Sequence, residues 1–172
     1  FQDIISGIFI LVDKSLHVND IIEIDGKVGK VFEIKLRTSR AVTIDDRVMI
    51  IPNHKFMTQS LYNWTQNGNK TTESVDVNVA YGTDVKKVRE ILITIAKNHP
   101  LVLKNQTPDV QFVDFAESSL KFKLLFTISD SFMRNKVKSD LRFSIDSAFK
   151  ENNIKIPFPQ RDIHLFNTKN EG

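Results

Sequence analysis

Ile24-Asp25-Gly26-Lys27-Val28-Gly29-Lys30-Val31-Phe32-Glu33-Ile34-Lys35-Leu36-Arg37-Thr38 is the stretch on which the fold turns. Asp25-Gly26 readily takes the positive φ angles of a type I′ hairpin turn. Before it, Ile21, Ile22 and Ile24 make a short strand. After it, residues 28–36 alternate, with Val28, Phe32, Ile34 and Leu36 on one face and Gly29, Val31, Glu33 and Lys35 largely off it. Gly29 inside such a run suggests a bulge or a tight bend. A third strand near Ala41 to Ile44 turns through Asp45-Asp46 into Val48-Met49-Ile50-Ile51, and Pro52, which has no N–H to donate, stops the ladder. Residues 20–52 therefore predict several strongly bent strands closing on themselves as a small open barrel or sandwich.

Toward the N-terminus the pattern is different. Ile4 to Val12 reads IISGIFILV, an apolar run broken only by Ser6 and Gly7. A bilayer crossing needs about 20 apolar residues, so this run cannot span alone. It reads either as a buried helix or strand, or as the tail of a transmembrane helix whose exit into water is marked by Asp13 and Lys14. The start at Phe1, with neither Met nor a signal-peptide pattern, reads as a cut inside a longer protein.

Toward the C-terminus a polar stretch, Gln66 to Thr72, reads as the boundary of a second unit. Val75, Val77 and Val79 alternate as a half-buried strand, and Gly82-Thr83-Asp84 supplies a turn and an N-cap. Val85, Val88, Ile91, Leu92, Ile95 and Ala96 then recur at helical spacing, with Pro100 just past the end. Strands follow at Val110 to Phe115 and Leu120 to Ile128, a second helix at Val137, Leu141, Ile145, Ala148 and Phe149, and a last short strand at Asp162 to Phe166. Strand, helix, strand, strand, helix, strand is the order of a ferredoxin-like α+β layer.

The chemistry-bearing residues form no catalytic pattern. The 172 residues include no cysteine, which excludes disulfides, thiolate metal sites and a cysteine nucleophile. His17, His54, His99 and His164 are scattered, without the paired spacing of a zinc helix, and read as surface or turn residues. No phosphate-binding glycine loop or nucleophile turn occurs, so the expectation is no catalytic site, no metal and no cofactor. A net charge of +3, spread along the chain, does not indicate nucleic acid. Lys121-Phe122-Lys123 is the one place that resembles a base-stacking surface.

The quoted stretch, followed by Asp45 and by Val48-Met49-Ile50-Ile51-Pro52-Asn53, resembles the middle domain of the small-conductance mechanosensitive channel (MscS) family. Gly29-x-Val31, Ile34-x-Leu36-Arg37 and Ile51-Pro52-Asn53 stand in the family's order and near its spacing. The likeness continues through Ala80-Tyr81-Gly82-Thr83-Asp84 and through Ile154-Lys155-Ile156-Pro157-Phe158-Pro159-Gln160. The sequence departs from the family at Ser15-Leu16, where many members have Pro-Phe, and at Asn19-Asp20, where they have Gly-Asp.

The resemblance implies a homo-heptamer in the inner membrane, with this region on the cytoplasmic side, that releases ions and small osmolytes under tension. Residues 1–18 would be the end of a pore-lining helix, with Ile4, Gly7, Ile8 and Leu11 on it. Residues 19–65 would be the small β domain that carries Gly29, Val31, Leu36, Arg37, Pro52 and Asn53. Residues 66–172 would form the wall of a hollow cage. Membrane lipid would be met through helices that lie before Phe1. Gly7 falls where the family's pore helix carries a glycine associated with kinking; equally, it would permit close packing between neighbouring helices. The alternative from another class is a soluble oligomeric binding module with RNA among its ligands.

Overall fold

The computed structural model describes residues 1–164, and it begins with the apolar run wound into helix α1 (Gln2–Asp13). Lys14 ends the helix in the left-handed conformation, at φ 50°. Four strands follow: β1 (Ile21–Ile24), β2 (Lys27–Ile34), β3 (Thr38–Thr43) and β4 (Val48–Pro52). A single helical turn α2 (Lys55–Thr58) and a two-residue strand β5 (Tyr62–Asn63) complete the first unit, and neither is signalled by periodicity. The sheet is antiparallel in the order β4-β3-β2-β1-β5, and among the described residues it stays open rather than closing into a barrel. Asp25 and Gly26 both have positive φ, 50° and 71°, as the β1–β2 hairpin turn requires.

Strand β2 corrects the predicted facing. Val31 pairs with Ala41 but Glu33 pairs with Arg40, so Phe32 is the extra residue of a bulge. Before the bulge the odd-numbered residues point inward: Gly29 is buried and Val31 fully so, whereas Phe32 is exposed. The bulge is therefore at Phe32 and not at Gly29. Gly29 instead serves close packing, since a Cβ there would lie 3.0 Å from that of Ala41 and 3.2 Å from the Met49 methyl. Leu36 is exposed and lies outside the strand, because the chain already turns at residues 35–38, where the Lys35 N–H donates to the Thr38 carbonyl at 2.9 Å. The core of this unit gathers Ile22, Ile24, Val31, Ala41 and Ile51 with Leu16 and, from α1, Ile10.

The second unit runs β6 (Thr71–Val79), α3 (Val85–Asn98), β7 (Asp109–Phe115), β8 (Leu120–Ile128), a 3₁₀ turn at Ser131–Met133 and α4 (Arg134–Glu151). Its antiparallel sheet has the order β6-β8-β7. Thr71 and Thr72 belong to β6, so the polar connector is shorter than the sequence reading drew it. Both helices cover one face of this sheet: Val88, Leu92 and Ala96 from α3 and Val137, Leu141, Ile145 and Phe149 from α4 meet the inward residues of β6 and β8. Asp84 caps α3 by accepting from the Lys86 and Lys87 N–H groups at 2.9 and 3.2 Å. For the predicted last strand, residues 162–164 carry no regular structure, and Leu165 and Phe166 lie outside the described residues.

This packing decides two polar expectations. Phe122 is only 3% exposed, which leaves Lys121-Phe122-Lys123 without a ring to stack on a base. Of the two readings offered for the histidines, surface or turn, His99 takes the second: it is the buried residue that ends α3, where its Nδ1 accepts from the Leu101 N–H at 3.2 Å and its Nε2 lies 3.5 Å from Asp140 on α4.

Asp20 locks the entrance of β1. Its carboxylate accepts from the His17 N–H (2.9 Å), the Asn63 amide (2.9 Å) and the Thr65 hydroxyl (2.8 Å). Burial pushes the Asp20 carboxyl up, but these three donors outweigh it and hold it below the usual carboxylate range. A depressed carboxylate contributes stability above its unfolded pKa and loses it as pH falls through the folded value. Asp20→Ala is expected to cost about 1–3 kcal/mol at pH 7, and the difference from wild type should shrink below about pH 4. Urea titrations at pH 7 and pH 3 check both. Asp84→Ala should cost about 1 kcal/mol at an unchanged m-value in the same assay.

Candidate functional site: the seat of the N-terminal helix

Asp3, Ser6, Gly7 and Ile10 recur at the spacing that puts them on one face of α1. Ser6, Gly7 and Ile10 are buried and Asp3 is half-buried. The receiving surface consists of two turns distant in sequence: residues 35–37 between β2 and β3, and Asn53-His54 just after β4.

Asn53 ties these turns together. Its side chain is fully buried, its amide donates to the Lys35 carbonyl at 2.8 Å, and its Oδ1 accepts from the Ser39 hydroxyl at 2.9 Å. Its backbone N–H donates to the Arg37 carbonyl at 3.0 Å. The Leu36 carbonyl is thereby fixed directly beneath α1. A Cβ built on Gly7 would lie 2.0 Å from that oxygen and 2.8 Å from the Asn53 amide nitrogen. Gly7 is therefore the point where the helix touches the sheet unit, and α1 continues through it from Gln2 to Asp13.

One turn earlier, Asp3 Oδ1 accepts from the His54 backbone N–H at 3.2 Å and lies 2.6 Å from His54 Nδ1. The hydrogen bond to the His54 ring, joined by that to its backbone, holds the Asp3 carboxyl below the usual range, and Arg37 adds to the effect. The opposite surface of α1 is apolar and uncovered: Ile4, Ile5, Ile8, Phe9, Leu11 and Val12 are 37–70% exposed.

Two family profiles match: "Mechanosensitive ion channel, beta-domain" over residues 1–66 and "Mechanosensitive ion channel MscS, C-terminal" over residues 73–156. The chain belongs to the MscS family. It is 34% identical over 171 residues to the mechanosensitive channel MscK of Escherichia coli, covering 99% of this chain and 15% of that protein. An uncharacterized MscS family protein of Archaeoglobus fulgidus is 31% identical over 165 residues, covering 96% of this chain and 58% of its own length. Among solved structures, the closed-state crystal structure of Helicobacter pylori MscS has a TM-score of 0.84 at 26% identity, over 97% of this chain and 66% of that one. The chain thus spans from about one-seventh to about three-fifths of these curated relatives, and corresponds to the C-terminal region of such a channel. A soluble RNA-binding module is not favoured by these likenesses.

The structure brings some of the motif residues together and leaves others apart. Leu36, Arg37 and Asn53 converge under Gly7, and Pro52 closes β4 opposite Thr38. Gly29 and Val31 serve the interior of the sheet unit. Ile4, Ile8 and Leu11 lie on the uncovered side of α1. Sequence reasoning missed Asp3, Ser39 and His54. The only available signal was the spacing of Asp3 and Gly7, which says that they share a face but not what faces them.

Gly7→Ala is expected to push α1 off this seat, because the obstructing atom is a hydrogen-bonded backbone region and cannot yield as a side chain could. Protease susceptibility at Lys14 should rise while the unfolding transition of the second unit stays in place. Asn53→Ala leaves the Lys35 carbonyl and the Ser39 hydroxyl without partners; it should cost about 2–4 kcal/mol by urea denaturation.

Proposed function

We propose that the chain is the cytoplasmic part of a subunit of a tension-gated channel that releases ions and small osmolytes. The uncovered apolar side of α1 carries this reading. Six large apolar side chains on a 12-residue helix remain open after the helix has seated on its own β unit. Such a surface calls for lipid, for neighbouring copies of the same helix, or for both. No helix among the described residues is long and apolar enough to cross a membrane, and α1 is about 18 Å long against a hydrocarbon core of about 30 Å.

In this reading residues 1–18 end the pore-lining helix, 19–65 form a ring of β units beneath it, and 66–172 build the wall of a vestibule. The subunits assemble as a homo-oligomer, a heptamer by likeness to the family, in the inner membrane with this region in the cytoplasm. Selection among permeating ions comes from the size and charge of the openings, and no residue has to donate a proton or hold a metal. The close likeness to a closed-state MscS structure supports taking the seated position of α1 as the resting one.

The test is single-channel recording from osmotically fragile cells that lack their own mechanosensitive channels, after expression of the complete protein. Pressure-activated currents and survival of hypo-osmotic shock are expected. Well-expressed, membrane-inserted protein that gives neither would overturn the reading.

A further inference from the structure

The contact between Asp3 and His54 joins the first turn of α1 to the turn after β4, across 51 residues of sequence. The same carboxylate oxygen receives the His54 backbone N–H, so the ring and the backbone hold one acceptor. An ionised carboxylate can only accept, which requires His54 Nδ1 to carry a hydrogen in either charge state of the ring. Gaining a proton at Nε2 therefore changes the charge of the pair without changing its geometry. A hydrogen bond from a neutral ring to a carboxylate becomes an ion pair, which adds the attraction of opposite charges to the same contact.

From these observations we infer that Asp3 and His54 form a proton-strengthened latch that holds α1 on its seat and makes the pore-lining helix harder to release in acid. The inference rests on the channel reading above.

The neighbouring charges leave His54 as the group that switches. Asp3 stays anionic across the physiological range, because its carboxyl is held low. Arg37, which faces Asp3 from the β2–β3 turn, is cationic throughout. Lys55, next in sequence to His54, is engaged with Asp25 at 2.6 Å. Both latch side chains keep access to solvent, Asp3 at 29% and His54 at 38% exposure, so protons exchange freely. The ion pair exists while the ring carries its second proton, and without that proton the contact falls back to a hydrogen bond from a neutral ring to the carboxylate. Asp3 and His54 are positioning residues: neither needs to touch a permeating ion.

The experiment is pressure activation of the complete channel in excised patches, with the pH of the face bathing this region stepped from 8 to 5.5. Open probability at fixed pressure should fall about three- to ten-fold on acidification. His54→Gln and Asp3→Asn should gate but lose this slope, while His17→Asn should keep it. A flat wild-type response, or an unchanged slope in His54→Gln, would overturn the latch while leaving the channel reading intact. Absence of pressure-activated current in every variant, wild type included, would instead overturn the channel reading.

A second measurement does not depend on conduction. Nitroxides placed at Leu11 and Tyr62 of the complete protein should report a narrower distance distribution at pH 5.5 than at pH 8. Identical distributions at both pH values would overturn the latch.

Discussion

A missing Cβ at Gly7 lets the backbone of α1 lie against the Leu36 carbonyl, and this approach fixes where the helix stands. The carbonyl stays in place because Asn53 spends its backbone N–H and both ends of its amide on the surrounding turn. Once α1 is seated there, Ile10 reaches the sheet core beside Ile22, Val31 and Ile51, and Asp3 reaches His54. The seat is thus one cooperative device of steric fit, buried hydrogen bonding and a short polar contact. Removing any part weakens the rest, as expected for residues that share partners.

The device links two regions with different duties. Only a narrow stripe of α1 is committed to its own chain, and the rest is left apolar and open. The β unit is anchored in turn to the second unit, where the Arg134 guanidinium at the start of α4 lies 4.5 Å from the centre of the Trp64 ring, just past β5. The Lys138–Glu73 ion pair fastens α4 to β6 within the second unit. Under the channel reading proposed above, force arriving at α1 would meet this support, and release from a seat made of steric fit and buried hydrogen bonds would be a discrete event rather than a gradual bend. That is the property a tension-operated switch requires.

Much of the architecture was legible because it is written locally. Asp25-Gly26 declares its hairpin, Asp84 declares the start of α3, and the alternation of Leu120 to Ile128 places each of those side chains on the correct face. The errors arise where a long-range pairing overrides the local pattern. Phe32 and Val31 exchange faces because β3 pairs out of step by one residue, which nothing within 28–36 reveals. The site was half legible for the same reason. The family motif marks Leu36, Arg37, Pro52 and Asn53, and the apolar run marks Gly7, but their convergence is a tertiary fact. Asp3 and His54, a lone acid and a scattered histidine, acquire meaning only through their 2.6 Å contact.

The most direct test of the seat is a pair of cysteines at positions 3 and 54, in a chain that otherwise has none. Intramolecular cross-linking would be followed in membranes by protection from a bulky maleimide, first at rest and then under hypo-osmotic tension. If α1 rests on Asn53-His54 and leaves on opening, the pair cross-links readily at rest and poorly under tension, and the cross-linked channel no longer opens. Equal cross-linking in both conditions, with a channel that still opens, would contradict the account.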